Sequence, residues 1–132
     1  MKLITRDTDY AVRALCYIFK YKNKVISVSD LVRELRIPRS FLRKILQKLN
    51  KKKILESFKG QRGGFLAAKP ADQIFLVDLI ETFQGKVSLN ECFFRKLICP
   101  HMRACILRKK LNKIEKQMLR ELKRITVASL LR

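Results

Sequence analysis

Apolar residues recur at helical spacing through residues 8–21 (TDYAVRALCYIFKY). Ala11, Ala14, Leu15, Ile18 and Phe19 share one stripe there, while Arg13 and Lys20 face away. This predicts a first helix, broken at Asn23 and Lys24. Ser27 or Ser29, with Asp30, offers an N-cap for a second helix whose apolar positions are Leu31, Val32 and Leu35. Arg36-Ile37-Pro38 is a tight break. Arg39 and Ser40 then open a third helix with Phe41, Leu42, Ile45, Leu46 and Leu49 on its buried side.

The period changes after Lys51-Lys52-Lys53. Residues 54–58 (ILESF) and 65–68 (FLAA) are β-capable runs on either side of a basic, glycine-rich turn, Lys59 to Gly64, which predicts a hairpin. Pro70-Ala71-Asp72 closes it. Residues 74–84 (IFLVDLIETFQ) predict an amphipathic fourth helix ended by Gly85. Segment 86–104 is irregular. From Cys105 onward Leu107, Leu111, Ile114, Met118, Leu122 and Ile125 form a narrow seam between lysines and arginines, wide enough for one partner helix. The expected architecture is mainly α with a small β-hairpin. A winged helix-turn-helix unit spans 1–85, and a cysteine loop with a long dimerisation helix spans 86–132.

Two short helices joined by a tight turn, the second rich in Arg and Lys and followed directly by a basic hairpin, is the pattern of a DNA reader with a wing. Charge supports this. Lys and Arg number 31 against 11 Asp and Glu, a formal net charge of +20, which repels copies of the chain and attracts polyanions. The stretch from Arg33 to Arg62 holds eleven basic residues and two acidic ones. A membrane surface is the weaker partner, because the cations are interleaved with core-type positions and not gathered in a tail. No run of 18 apolar residues exists, and the first ten residues carry charge where a signal peptide needs an apolar stretch. No membrane span and a cytoplasmic location are therefore expected.

Helix three is expected to enter the major groove of double-stranded DNA. Arg39, Ser40, Arg43 and Lys44 near its start touch bases or phosphates, with Arg39 or Arg43 reading guanine bidentately. Lys48 and Lys51 to Lys53 hold phosphates, and Lys59 and Arg62 reach the minor groove or backbone from the wing. A twofold homodimer formed through the C-terminal seam would match a palindromic operator.

Cys92, Cys99 and Cys105 are separated by six and five residues and lie beside a helix start and many cations. Both features favour thiolate, the form that binds iron or zinc. Paired C-x2-C knuckles, the usual mark of structural zinc, do not occur. A metal-free switch pairing Cys99 with Cys105 is the second reading. Cys16 stands apart and reads as a buried core cysteine. With one histidine and no nucleophile-base grouping, no catalytic constellation is present and an enzyme is not expected. A basic protein that coats nucleic acid without specificity is a further alternative.

Taken together, the opening MKL…TDYAVRAL, the stretch ISVSDLVRELRIPRSFLRKILQKLNKKKIL, the wing KGQRGGFLAAKP and the cysteine trio resemble the Rrf2 family of winged-helix regulators, which includes IscR-like and NsrR-like members. The resemblance covers nearly the whole chain. It implies a dimer whose long C-terminal helix crosses over, and an iron–sulfur cluster, [4Fe-4S] or [2Fe-2S], bound by Cys92, Cys99 and Cys105. The position matching the acidic fourth ligand of NsrR-like members, donated across the dimer, is Asp9. The position of the IscR-like histidine is Arg108 here, and His101 is a rival ligand. The implied function is a transcriptional regulator sensing redox state, nitric oxide or cluster status.

Overall fold

A computed structural model of the chain describes residues 3–21, 23–88 and 105–131. Helix α1 (Arg6–Lys20) carries its predicted stripe into the centre of the molecule, where Ala11, Ala14, Leu15, Ile18 and Phe19 are all buried. Helix α2 (Val28–Leu35) starts at a capping box. The Ser27 side chain accepts from the Asp30 backbone N–H, and the Asp30 carboxylate accepts from that of Ser27. Arg36 ends it in the left-handed region (φ 55°), with its N–H donating to the Val32 carbonyl. The buried Ile37 and the exposed Pro38 complete the turn into α3 (Arg39–Lys51), whose Leu42, Ile45, Leu46 and Leu49 close the core over α1 and α2. Phe41 is only partly covered.

Strands β1 (Leu55–Phe58) and β2 (Gly64–Ala67) pair antiparallel, with Leu55 opposite Ala67 and Phe58 opposite Gly64. The hairpin does not stand free. Ile26 and Phe65 exchange both backbone hydrogen bonds, at 3.0 and 2.8 Å, so β2 lies between β1 and the segment that leads into α2. A single 3-10 turn (Ala71–Gln73) precedes α4 (Leu76–Gln84), which Gly85 caps at φ 85°.

The fourth helix begins two residues later than its periodicity predicts. Ile74 and Phe75 are extended because the end of the chain returns to bond them. Leu76 N–H donates to the Ile125 carbonyl and Val127 N–H to that of Ile74, both at 2.9 Å. For the same reason α5 (Ile106–Arg124) stops before Ile125. A further short helix that the pattern did not reveal, α6 (Val127–Leu130), follows with its own Thr126–Ser129 capping box. Val127 enters the main core. A second cluster, Leu76, Val77, Ile80, Val87 and Leu122, joins α4 to the C-terminal half of α5. The N-terminal half of α5 is uncovered: Ile106, Leu107 and Ile114 are 69%, 66% and 52% exposed. No helix among the described residues is long and apolar enough to cross a membrane.

Candidate nucleic-acid interface

The periodicity that buries one side of α3 turns its cations outward. Arg39, Ser40, Arg43, Lys44 and Lys48 are exposed, as are Lys59 and Arg62 on the hairpin turn. Ion pairs among the described residues join Arg13 to Asp9, Arg33 to Asp30 and Glu34, and Arg124 to Glu121, so the α3 and wing cations stand outside them. Arg39 differs from the others. Its Nη2 donates to Ser29 Oγ at 3.0 Å, pinning the start of α3 to the first turn of α2. Part of its donor fork is thereby used within the protein. Arg43, one turn further along, makes no such contact among the described residues and is the freer of the two predicted readers.

Two glycines fix the wing's place beside α3. At Gly64 a Cβ would lie 2.3 Å from the Ile26 carbonyl oxygen, so only glycine lets β2 approach the segment before α2. At Gly63 it would lie 2.3 Å from the Phe58 carbonyl oxygen. The turn between the strands is closed by Gly63 N–H donating to the Gly60 carbonyl at 3.0 Å.

Sequence reading missed the residues that tie α1 to this surface. The Arg6 guanidinium lies 4.4 Å from the centre of the Phe41 ring, and Tyr10 meets the same ring edge-on at 6.4 Å. Arg6, Asp7, Phe41, Lys44, Lys48 and Phe83 line a cleft of about 380 Å³ alongside α3. At the other end of this junction Gln84 latches the start of α1. Its Oε1 accepts from Thr5 N–H and from the fully buried Thr8 hydroxyl, both at 2.8 Å, and its Nε2 donates to the Leu3 carbonyl. No local pattern marks a glutamine at a helix end as a partner for residues almost eighty positions away.

Of the predicted metal ligands, Asp9 lies in the first turn of α1, 47% exposed at its side chain, with Arg13 Nε 2.9 Å from its Oδ2. Cys105 is the half-buried N-cap of α5. Cys92, Cys99 and the rival ligand His101 lie outside the described residues, and no group of three ligating residues forms among those described. Arg108, at the IscR-like histidine position, is in the first turn of α5. Cys16 is half-buried at the rim of the core and not inside it, lining an apolar groove with Val12, Tyr17, Leu35, Leu130 and Leu131. Burial there pushes its thiol pKa up.

Comparison with known proteins agrees with this geometry. The chain is 31% identical to a candidate HTH-type transcriptional regulator of Aquifex aeolicus, over 98% of this chain and 92% of that protein. It is also 31% identical to the HTH-type transcriptional regulator NsrR of Shouchella clausii, over 96% and 87%. Among solved structures, CymR, the global cysteine regulator of B. subtilis, superposes with a TM-score of 0.77 at 19% identity, covering 98% of this chain and 96% of that one. T. potens IscR gives 0.75 at 18% identity, covering 98% and 85%. The winged helix-turn-helix architecture is therefore that of these regulators, and residues 4–132 match the model of one family throughout. The chain belongs to the Rrf2 family of iron-dependent transcriptional regulators.

Proposed function

We propose that this transcriptional regulator reads a palindromic duplex as a homodimer, and that an iron–sulfur cluster on Cys92, Cys99, Cys105 and Asp9 sets its affinity. The observation that carries the DNA reading is the outward row of α3 cations continued by Lys59 and Arg62 on a wing anchored at Ile26. Arg43 is the base reader and Arg39 a lesser one, being shared with Ser29. Ser40 and Lys44 flank them, and Lys48, Lys59 and Arg62 hold phosphates. The uncovered Ile106, Leu107 and Ile114 support a second copy as the cover for α5.

The donor set fits a cluster. Cys105 presents a half-buried thiol at the N-cap of α5, and the Asp9 carboxylate is accessible, paired among the described residues with Arg13. When bound, a cluster supplies a tie between its ligands that oxidants, nitric oxide or iron shortage can break. The chain's own residues do the rest. Asp9 sits between Arg6 and Tyr10, which both grip Phe41 near the start of α3, so a shift of the first turn of α1 is felt at the reading helix. Because half-site spacing is strict, a small displacement there lowers affinity.

The test is an iron and acid-labile sulfide count on protein purified without oxygen, followed by DNA-shift assays with and without the signal. Bound iron and sulfide, with DNA affinity that changes on their loss, is the expected result. Iron-free protein whose DNA affinity follows thiol oxidation would move the sensing role to a dithiol switch. Indifference to iron, sulfide and oxidant would remove sensing by the trio altogether. For the reading helix, Arg43→Ala is expected to relax base preference by about five- to 100-fold, and unchanged affinity and preference would refute the assignment.

A further inference from the structure

The wing carries an apolar group that its phosphate-binding role leaves unexplained. Phe58, the last residue of β1, is 42% exposed. Its position follows from register. Leu55 is buried against the core, so alternation along the strand puts Glu56 and Phe58 on the outer face. The residue opposite Phe58 is Gly64, and the next one back along the chain is Gly63. Both must be glycine for backbone reasons, since a Cβ at either would lie 2.3 Å from a carbonyl oxygen. The cross-strand partner therefore offers the ring no side chain to lie against. The exposed Lys59 follows it directly in the chain, and the exposed Arg62 lies in the same hairpin turn.

We infer that Phe58 is a further DNA-contacting residue, whose ring packs against the deoxyribose wall of the minor groove next to the phosphates held by Lys59 and Arg62. This rests on the proposed reading that the wing lies on duplex DNA. The walls of that groove are sugar C–H groups, an apolar surface beside two anionic rims, and an exposed aromatic ring on the same hairpin as two exposed cations offers the complementary chemistry. A ring–sugar contact releases no counterions and reads no base. It adds affinity that is independent of salt and shared by specific and non-specific duplexes.

The experiment uses the full chain and two duplexes of equal length, one selected by the protein from a random-sequence pool and one scrambled. Phe58→Ala is expected to bind both duplexes about five- to tenfold more weakly, with the slope of log affinity against log salt unchanged. Phe58→Tyr, which keeps the ring, stays within twofold of the parent, as an order of magnitude for an unaltered contact. Arg62→Ala flattens the salt slope by about 0.9. If Arg62→Ala weakens binding and Phe58→Ala does not, the ring contact is refuted while the wing stays on DNA. If neither variant changes binding, the wing does not touch DNA and the inference falls with that reading. Conversion of the parent dimer to monomer by Phe58→Ala, seen in sedimentation, would place the ring in a protein interface and also overturn it.

Discussion

Replacing Gly64 with alanine tests the anchoring of the wing directly. The new Cβ would stand 2.3 Å from the Ile26 carbonyl oxygen and 2.6 Å from its carbonyl carbon. Even the tightest ordinary C–H···O contacts lie at about 3.3 Å, so β2 and the Ile26 segment must separate by about 1 Å. Both atoms met are backbone, and no flexible side chain can yield in their place. That separation stretches the two bonds between Ile26 and Phe65, now 3.0 and 2.8 Å, beyond hydrogen-bonding range. Each such bond contributes about 1 kcal/mol net, so the variant loses about 2 kcal/mol. For a chain of this length that lowers Tm by roughly 6–8 °C. Calorimetry measures the loss, and amide hydrogen exchange locates it at Ile26 and Phe65. Gly60→Ala is the comparison. It strains the turn at φ 107° but meets nothing within 4 Å, so the same two amides stay protected. A Gly64→Ala protein that keeps Ile26 and Phe65 protected, or melts within about 2 °C of the parent, would refute the anchoring.

Gln84→Leu removes the acceptor of the buried Thr8 hydroxyl and of Thr5 N–H, and is expected to cost about 2 kcal/mol, read as a lower urea midpoint. An unchanged midpoint would show that the latch contributes nothing to folding. The capping box of α2 gives a pH signature. Hydrogen bonds from the backbone N–H of Ser27 and from its side chain, with Arg33 nearby, hold Asp30 below the usual carboxylate range. Its contribution is therefore present above that range and lost as pH falls through the lowered folded value. Amide exchange in α2 should accelerate over that acidic interval in the parent, and Asp30→Ala should exchange fast on both sides of it. A parent α2 that exchanges equally across the interval would exclude the linkage.

Some of this molecule is written locally. The stripes of α1 and α3 recur with the helix period, and both face the core. The buried positions and the outward turn of Arg43, Lys44 and Lys48 follow together. The two β-capable runs around Gly60, Gly63 and Gly64 likewise specify a hairpin without outside help. What sequence could not supply was the identity of partners. Ile74 and Phe75 read as helix because they continue an apolar period, yet they are extended because Ile125 and Val127 arrive to bond them. Arg39 and Arg43 are alike in sequence, and only the packing of α2 against α3 brings Ser29 within 3.0 Å of one of them. Gly64 is one turn glycine among three until Ile26 is beside it. Periodicity reports which side of an element avoids water, whereas hydrogen bonds and close approaches between distant segments depend on where the whole chain has been brought, and that is decided by tertiary packing.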